Sequence, residues 1–364
     1  MTAFLKGFFL TVFLGYGGLV LLNALIDPVD ILGISPLPYE GVPNPRFHKI
    51  EYLKQHHDRY DTYLFGSSRI GMINPKTVET HLPGSRVYNM TCNSCNQYEY
   101  LHHLKFMLQQ GFEIKTLFLQ VDLSDIDHYA VRQDDFTARI HPETIGENQL
   151  LFYLDYLTTL SFTLMKEKIQ NNLKHKLPEL LSDGMDDTSE KEAAIQADAE
   201  GFYKQAFNGR LKIPQIAMTP VGIQRETRDA LREFIQLCRE NQIQLHVFTT
   251  PHHHRFLLAY HPDDYYGLLT YLSSLTTFTD FSGINRVTHE SRNYYEKNHY
   301  RVHVGDWIVQ SLLTSDRYFG KDVTPESLSG VIAERDVALK AFLTEKNLPL
   351  PNSWAASPSV KPGS

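Results

Sequence analysis

The most pronounced hydrophobic pattern in the chain is at its amino end. Gly7 to Ile26 is an uncharged, mostly apolar run rich in Phe, Leu and Val, about the length a helix needs to cross ~30 Å of hydrocarbon. Lys6 precedes it, whereas Asp27 and Asp30 follow it. This charge bias predicts a cytoplasmic amino terminus, with everything after Asp27 outside. The run is long for a signal-peptide core, and Leu22-Asn23-Ala24 is a poor cleavage site, so residues 1–27 are expected to be an uncleaved single-pass anchor.

Beyond it the pattern changes to short apolar runs alternating with amphipathic ones. Residues 28–60 read as a connector, punctuated by Pro36, Pro38, Gly41 and Pro43, and a lead-in helix from Phe47 to His57. Strands are predicted at Thr62 to Phe65, Arg86 to Asn89, Thr116 to Asp122, Leu245 to Thr250 and Thr277 to Phe281. Helices are predicted from Asn96 to Gln110, Gln224 to Asn241, Pro262 to Ser274 and His303 to Leu313, and Asn74-Pro75 opens another as N-cap and first-turn proline. This alternation predicts an α/β domain over 61–320, a parallel sheet with helices on both faces in three αβα layers. From about 130 to 215 the rhythm breaks, with one helix expected from Leu150 to Gln170 and a polar, acidic stretch from Ser182 to Glu200. That region reads as a helical insertion. Residues 321–364 read as a terminal helix and a disordered tail.

Composition narrows the function classes. The formal net charge of -7 offers no basic field, so nucleic acid is not an expected partner. Three cysteines cannot frame a disulfide scaffold in a chain of 364 residues. Cys92 and Cys95 form a lone C-x-x-C, compatible with a structural bridge, two free thiols or a redox pair. His252-His253-His254 lacks an acid or cysteine at ligand spacing, so neither a metal nor a cofactor is expected.

Functional groups of such sheets collect beyond the carboxyl ends of the strands, where the chain offers Ser67, Ser68, Asn89, Asp122, His252, His253 and Asp280. Near the other end lies Glu296-Lys297-Asn298-His299. A carboxylate three residues before a histidine can hold Nδ1 and leave Nε2 to take a serine proton. The strand end Leu64-Phe65-Gly66-Ser67-Ser68-Arg69 resembles the Gly-Asp-Ser nucleophile block of the SGNH (GDSL-type) hydrolase superfamily, with Ser67 in place of the usual Asp. Tyr294 to Tyr300 resembles its terminal Asp-x-x-His block. The resemblance covers roughly Tyr63 to Leu313, outside the insertion. It implies a flavodoxin-like SGNH fold with Ser68 as nucleophile, His299 as base and Glu296 as its orienting acid. With the anchor, the pattern is similar to the membrane-anchored branch that serves D-alanyl transfer to teichoic acids and polysaccharide O-acetylation. It implies an extracytoplasmic serine esterase or O-acyltransferase acting on an envelope polysaccharide, with an acyl donor, the lipid bilayer and a membrane-embedded acyl-transfer protein as partners.

The chain departs from that family at the oxyanion blocks. Val87 to Thr91 has no glycine, so Asn89 or Asn93 is expected to donate instead. Asp122 stands where the family places a neutral donor, so Asp122→Asn is expected to preserve or raise reactivity. Arg69, His252, His253 and Asp122 are expected to contact substrate. A catalytically inactive glycan- or protein-binding member of the fold, and an envelope thiol–disulfide protein built on Cys92 and Cys95, are the alternatives from other classes.

Overall fold

Thr62-Tyr63-Leu64-Phe65, buried at every position, forms strand β1 (Thr62–Phe65). It is flanked by β2 (Val87–Asn89) and β3 (Thr116–Val121), and the sheet continues through β4 (Gln244–Thr249) and β5 (Phe278–Asp280). The computed structural model describes residues 2–38, 41, 43–125, 135–175, 182–208 and 221–348, and adds a sixth strand, β6 (Lys321–Val323). The order is β2-β1-β3-β4-β5-β6, parallel throughout except for the antiparallel β5–β6 pair. β3 is buried along its whole length, as a strand covered on both faces must be. Fourteen α-helices are present among the described residues.

The chain divides into two compact units, one of Met1–His57, His102–Gly111 and Ala130–Leu181, the other of Asp58–Leu101, Phe112–Tyr129 and Ser182–Ser364. The second contains the whole sheet. Its core packs Leu64, Phe118 and Phe248 from the strands with Ile70, Met72, Tyr294, Tyr300 and Ile308.

In the first unit, helix Thr2–Ile26 contains a stretch, Phe4–Ile26, long and apolar enough to cross a membrane. Only 6% of its most apolar window is buried within the protein, which excludes a core helix. Asp27 is not the surface charge its sequence position suggests. It is buried, and its carboxylate accepts from the backbone N–H groups of Ile31, Leu32 and Gly33 and from the Tyr156 hydroxyl.

Three expectations are corrected. The single helix expected from Leu150 to Gln170 is two, Gln149–Thr158 and Phe162–Leu173. The hydroxyl of Thr158 bonds back to Leu154 O and Asp155 O, and Ser161 caps the second helix at Leu164 N, the local competition by which Ser and Thr end helices. The insertion expected over about 130–215 is not one body: Ala130–Leu181 belongs to the first unit, while the part from Ser182 packs within the second. The boundary expected at 320/321 is absent, because β6 pairs with β5, and Arg335 of helix Leu328–Glu345 binds Asp280 at 2.9 Å. The tail expected beyond Pro349 lies outside the described residues.

Candidate active site

The strand order reverses beside β1 and β3, making the crevice beyond their carboxyl ends the place where a doubly wound sheet holds its reactive groups. Gly66 follows β1 directly. A Cβ there would lie 2.9 Å from both Gln120 Cβ and Ile70 Cβ, so only glycine lets the turn pass this close to β3. The Ser67 carbonyl then accepts from Ile70 N at 3.0 Å and Thr91 Oγ1 at 3.2 Å. This pins the turn to the segment after β2. Ser67 is buried, with its hydroxyl on Arg69, and Ser68 is left partly exposed.

Ser68 Oγ lies 2.7 Å from His299 Nε2, across 231 positions of sequence. The loop that carries His299 is closed by an antiparallel bridge between Tyr294 and Tyr300 and by Tyr295 N donating to His299 O at 2.9 Å. Its two tyrosines anchor it to the sheet: Tyr294 OH donates to Pro251 O at 2.8 Å, and Tyr300 OH accepts from Gln120 Nε2 at 3.0 Å. Inside the loop the Glu296 carboxylate accepts from Asn298 N at 2.9 Å, from His299 N at 3.0 Å and from His299 Nδ1. Burial alone would raise the Glu296 pKa, but the bond from His299 and the two backbone donors outweigh it and hold the carboxyl below its ordinary value. With Nδ1 held by this carboxylate, His299 turns Nε2 towards Ser68.

Beside the serine lies a buried ionic cluster. Arg69 Nη1 is 2.7 Å from Asp122 Oδ2, and His252 Nε2 is 2.8 Å from Asp122 Oδ1. Ser124 N at 2.9 Å, Ser124 Oγ at 2.7 Å and Thr250 Oγ1 at 3.1 Å also donate to Asp122. Burial would raise the Asp122 pKa, but Arg69 and then His252 more than offset it, so the carboxyl stays ionised well below its usual range. Burial dominates at His252 and lowers its pKa despite Asp122, keeping the ring neutral.

The structure therefore brings Ser68, His299 and Glu296 into one relay and gives the other expected residues different work. Asn89 is fully buried, and its amide donates to Ile70 O at 2.8 Å and Ile73 O at 3.1 Å. It staples the turn that carries Ser68, and with both amide hydrogens spent there the expectation of an oxyanion donor is corrected. Asn93 is exposed on the turn between Cys92 and Cys95, which are disulfide-bonded. Arg69, Asp122 and His252 are buried in the ionic cluster, which corrects the expectation that they contact substrate. The same holds for buried His253: its Nδ1 caps Arg255 N at 3.3 Å, its Nε2 meets Ser291 Oγ at 3.0 Å, and burial lowers its pKa to about 2. Asp280 is held by Arg335, Thr249, Tyr265 and Ser282 rather than by a histidine. The three histidine rings from 252 to 254 turn to three different partners, Asp122, Ser291 and the Thr288 carbonyl.

Sequence reasoning missed several supports. Gln120, a polar residue inside an apolar strand, was visible as an anomaly of the kind that marks a buried partner. Glu192, which accepts from Tyr295 OH at 2.6 Å and from Arg301 Nε at 3.1 Å and Nη2 at 2.5 Å, was not. It lies in helix Ser189–Ala197, inside the stretch read as an insertion, and grips the loop that carries Glu296 and His299 on both sides of those residues. No protein-family model matches the chain, and no curated protein matches it.

Proposed function

We propose that the protein is a membrane-tethered, extracytoplasmic serine esterase or O-acyltransferase of the SGNH type, acting on an envelope glycan through an acyl-serine intermediate. The observation that carries this reading is the relay from Ser68 Oγ to His299 Nε2, 2.7 Å apart, to Glu296 at Nδ1. A serine hydroxyl is a weak nucleophile until a base takes its proton, and a neutral imidazole oriented by a carboxylate is that base. Oγ attacks the acyl carbonyl while Nε2 takes the proton, and Glu296 stabilises the imidazolium. Collapse of the tetrahedral species expels the alcohol, which receives the proton from Nε2. Water or a sugar hydroxyl then attacks the acyl-serine, with His299 again as base. The Ser68 backbone N–H makes no hydrogen bond among the described residues, which suits it to receive the developing oxyanion. The envelope glycan, the acyl donor and an embedded acyl-transfer partner follow from the family resemblance, and the helix Phe4–Ile26 supports the membrane setting.

Intact-mass analysis after fluorophosphonate treatment tests the reading. One adduct on Ser68 is expected. Ser68→Ala should abolish it, and His299→Ala should slow it by about the 10²–10⁴-fold that general base catalysis contributes. Glu296→Gln should slow it less. Folded protein that takes no label at Ser68 would replace this reading with that of a glycan- or protein-binding component.

A further inference from the structure

The two helices after residue 148 are apolar on the wrong side for a water-facing surface. Their inward faces bury Phe152, Tyr156 and Met165. Their outward faces carry Leu150, Leu151 and Leu154 on the first helix and Phe162, Ile169 and Leu173 on the second, each between 42% and 79% exposed. Outside the anchor, these are six of the ten large hydrophobic side chains exposed among the described residues. The spacings within each set follow helical periodicity and place it on one face. Exposed apolar side chains concentrated on two neighbouring helices in this way mark a contact with membrane or protein.

The anchor identifies the occupant. Asn23 is fully buried, and its Nδ2 donates to the carbonyls of Tyr156 at 2.9 Å, Leu157 at 3.2 Å and Thr159 at 3.4 Å. The first two are orphan carbonyls of the last turn of helix Gln149–Thr158, and the third belongs to its C-cap. Asn23 stands three residues before the last residue of the anchor helix, Ile26, or about 4.5 Å back along its axis at 1.5 Å per residue. The turn between the two helices is thus locked at a level the apolar span has not yet left. At that depth the outward face meets acyl chains. Lys166 and Lys174, both exposed on or beside the second helix, can extend to headgroups while their stems stay in apolar surroundings.

We propose that helices Gln149–Thr158 and Phe162–Leu173 form a hairpin set into the same membrane leaflet from which the anchor emerges, with Leu150, Leu151, Leu154, Phe162, Ile169 and Leu173 in contact with lipid. This rests on Phe4–Ile26 crossing a membrane and does not depend on the chemistry at Ser68. An amphipathic hairpin of this kind binds through buried apolar area and attraction to anionic lipid. It gives the first unit a second membrane contact, which fixes its rotation about the anchor axis.

The test uses full-length protein in liposomes of phosphatidylcholine and phosphatidylglycerol, carrying one environment-sensitive fluorophore at Leu154→Cys or Ile169→Cys. Leu14→Cys in the anchor and Val337→Cys, exposed on helix Leu328–Glu345, serve as references. Native Cys238 is buried and Cys92 is bridged to Cys95, so labelling is selective. Positions 154 and 169 should be quenched by spin labels near the headgroup end of the acyl chains, position 14 by labels deeper in the chains, and all three should be shielded from iodide, with the opposite result at 337. Iodide quenching without lipid quenching at 154 and 169, while position 14 remains lipid-quenched, would overturn the proposal. Loss of lipid quenching at position 14 as well would overturn it through the anchor. Shielding from both quenchers together with crosslinking to a second copy would overturn it in favour of a dimer face.

Discussion

Asp122→Asn is the substitution for which sequence and structure predict opposite results. From the sequence, an acid where a neutral donor belongs is a handicap, and amidation should help. In the structure, five donors converge on the carboxylate: Ser124 N, Ser124 Oγ and His252 Nε2 on one oxygen, Arg69 Nη1 and Thr250 Oγ1 on the other. An asparagine keeps one oxygen. Its least disruptive orientation points the NH2 group at Arg69 and Thr250. The Thr250 hydroxyl can rotate to accept, but the Arg69 guanidinium has only donors and loses the ion pair. Removing one partner of a buried pair costs about 3–5 kcal/mol, and at roughly 2–4 °C per kcal/mol the melting temperature should fall by roughly 6–20 °C. The carboxyl has a folded pKa depressed below its ordinary 3.8. Its contribution is therefore present above that value and is lost only as pH falls through the lower folded one, so the wild-type and variant curves should stay parallel from about pH 5 to 8. Fluorophosphonate labelling should slow, because Arg69, which holds Ser67 beside Ser68, loses the carboxylate that fixes its own position. Removing both charges with Arg69→Met and Asp122→Leu should recover part of the stability, since no buried charge is then left unpaired. A fall in melting temperature below about 2 °C, or faster labelling of Asp122→Asn, would refute this reasoning and restore the sequence expectation.

Glu192→Gln weakens the grip on Tyr295 and Arg301; the side chain is 36% exposed, so stability should change by no more than about 1 kcal/mol. The rate of Ser68 labelling should fall and be partly restored by Glu192→Asp, and an unchanged rate would show that the clamp does not position the loop. Replacing both Cys92 and Cys95 with Ala opens a loop with a sequence separation of 3, worth about 2 kcal/mol in loop-closure entropy. Ser68 labelling should survive, whereas loss of a thiol-exchange activity with Ser68→Ala silent would favour the redox alternative. Burial lowers His103 in the first unit to about 3 and His253 in the second to about 2. Below about pH 6.5 the unfolded chain takes protons that these folded rings refuse, so each ring should cost stability at a rate that approaches about 1.4 kcal/mol per pH unit towards pH 4. Melting temperatures measured from pH 7 to 4.5 check this, and a flat profile would contradict it.

The sequence by itself made five of the strands legible, and the three residues of the relay. The runs at 62–65, 116–122 and 245–250 read as strands because they are short, largely apolar and bounded by turn signals, and β1 to β5 formed close to their expected ends. Ser68, His299 and Glu296 were legible because their chemistry depends on local order: a serine at a strand end, and an acid three residues before a histidine. What the tertiary structure decided were the roles of polar residues whose partners lie far along the chain. Asn89, Asp122, His252 and His253 carry the residue types of a substrate site, yet each is consumed by donors or acceptors that only folding brings near. The strand β6 escaped the pattern because Lys-Asp-Val has too few positions to show a period, and pairing with β5 alone makes it a strand. Glu192 and the lipid-facing hairpin fell in a stretch without strand–helix rhythm. One sequence texture there was divided between two units, because hydrogen bonds to Arg301 and Tyr295 on one side and to Asn23 on the other are set by position in space, not by spacing in the chain.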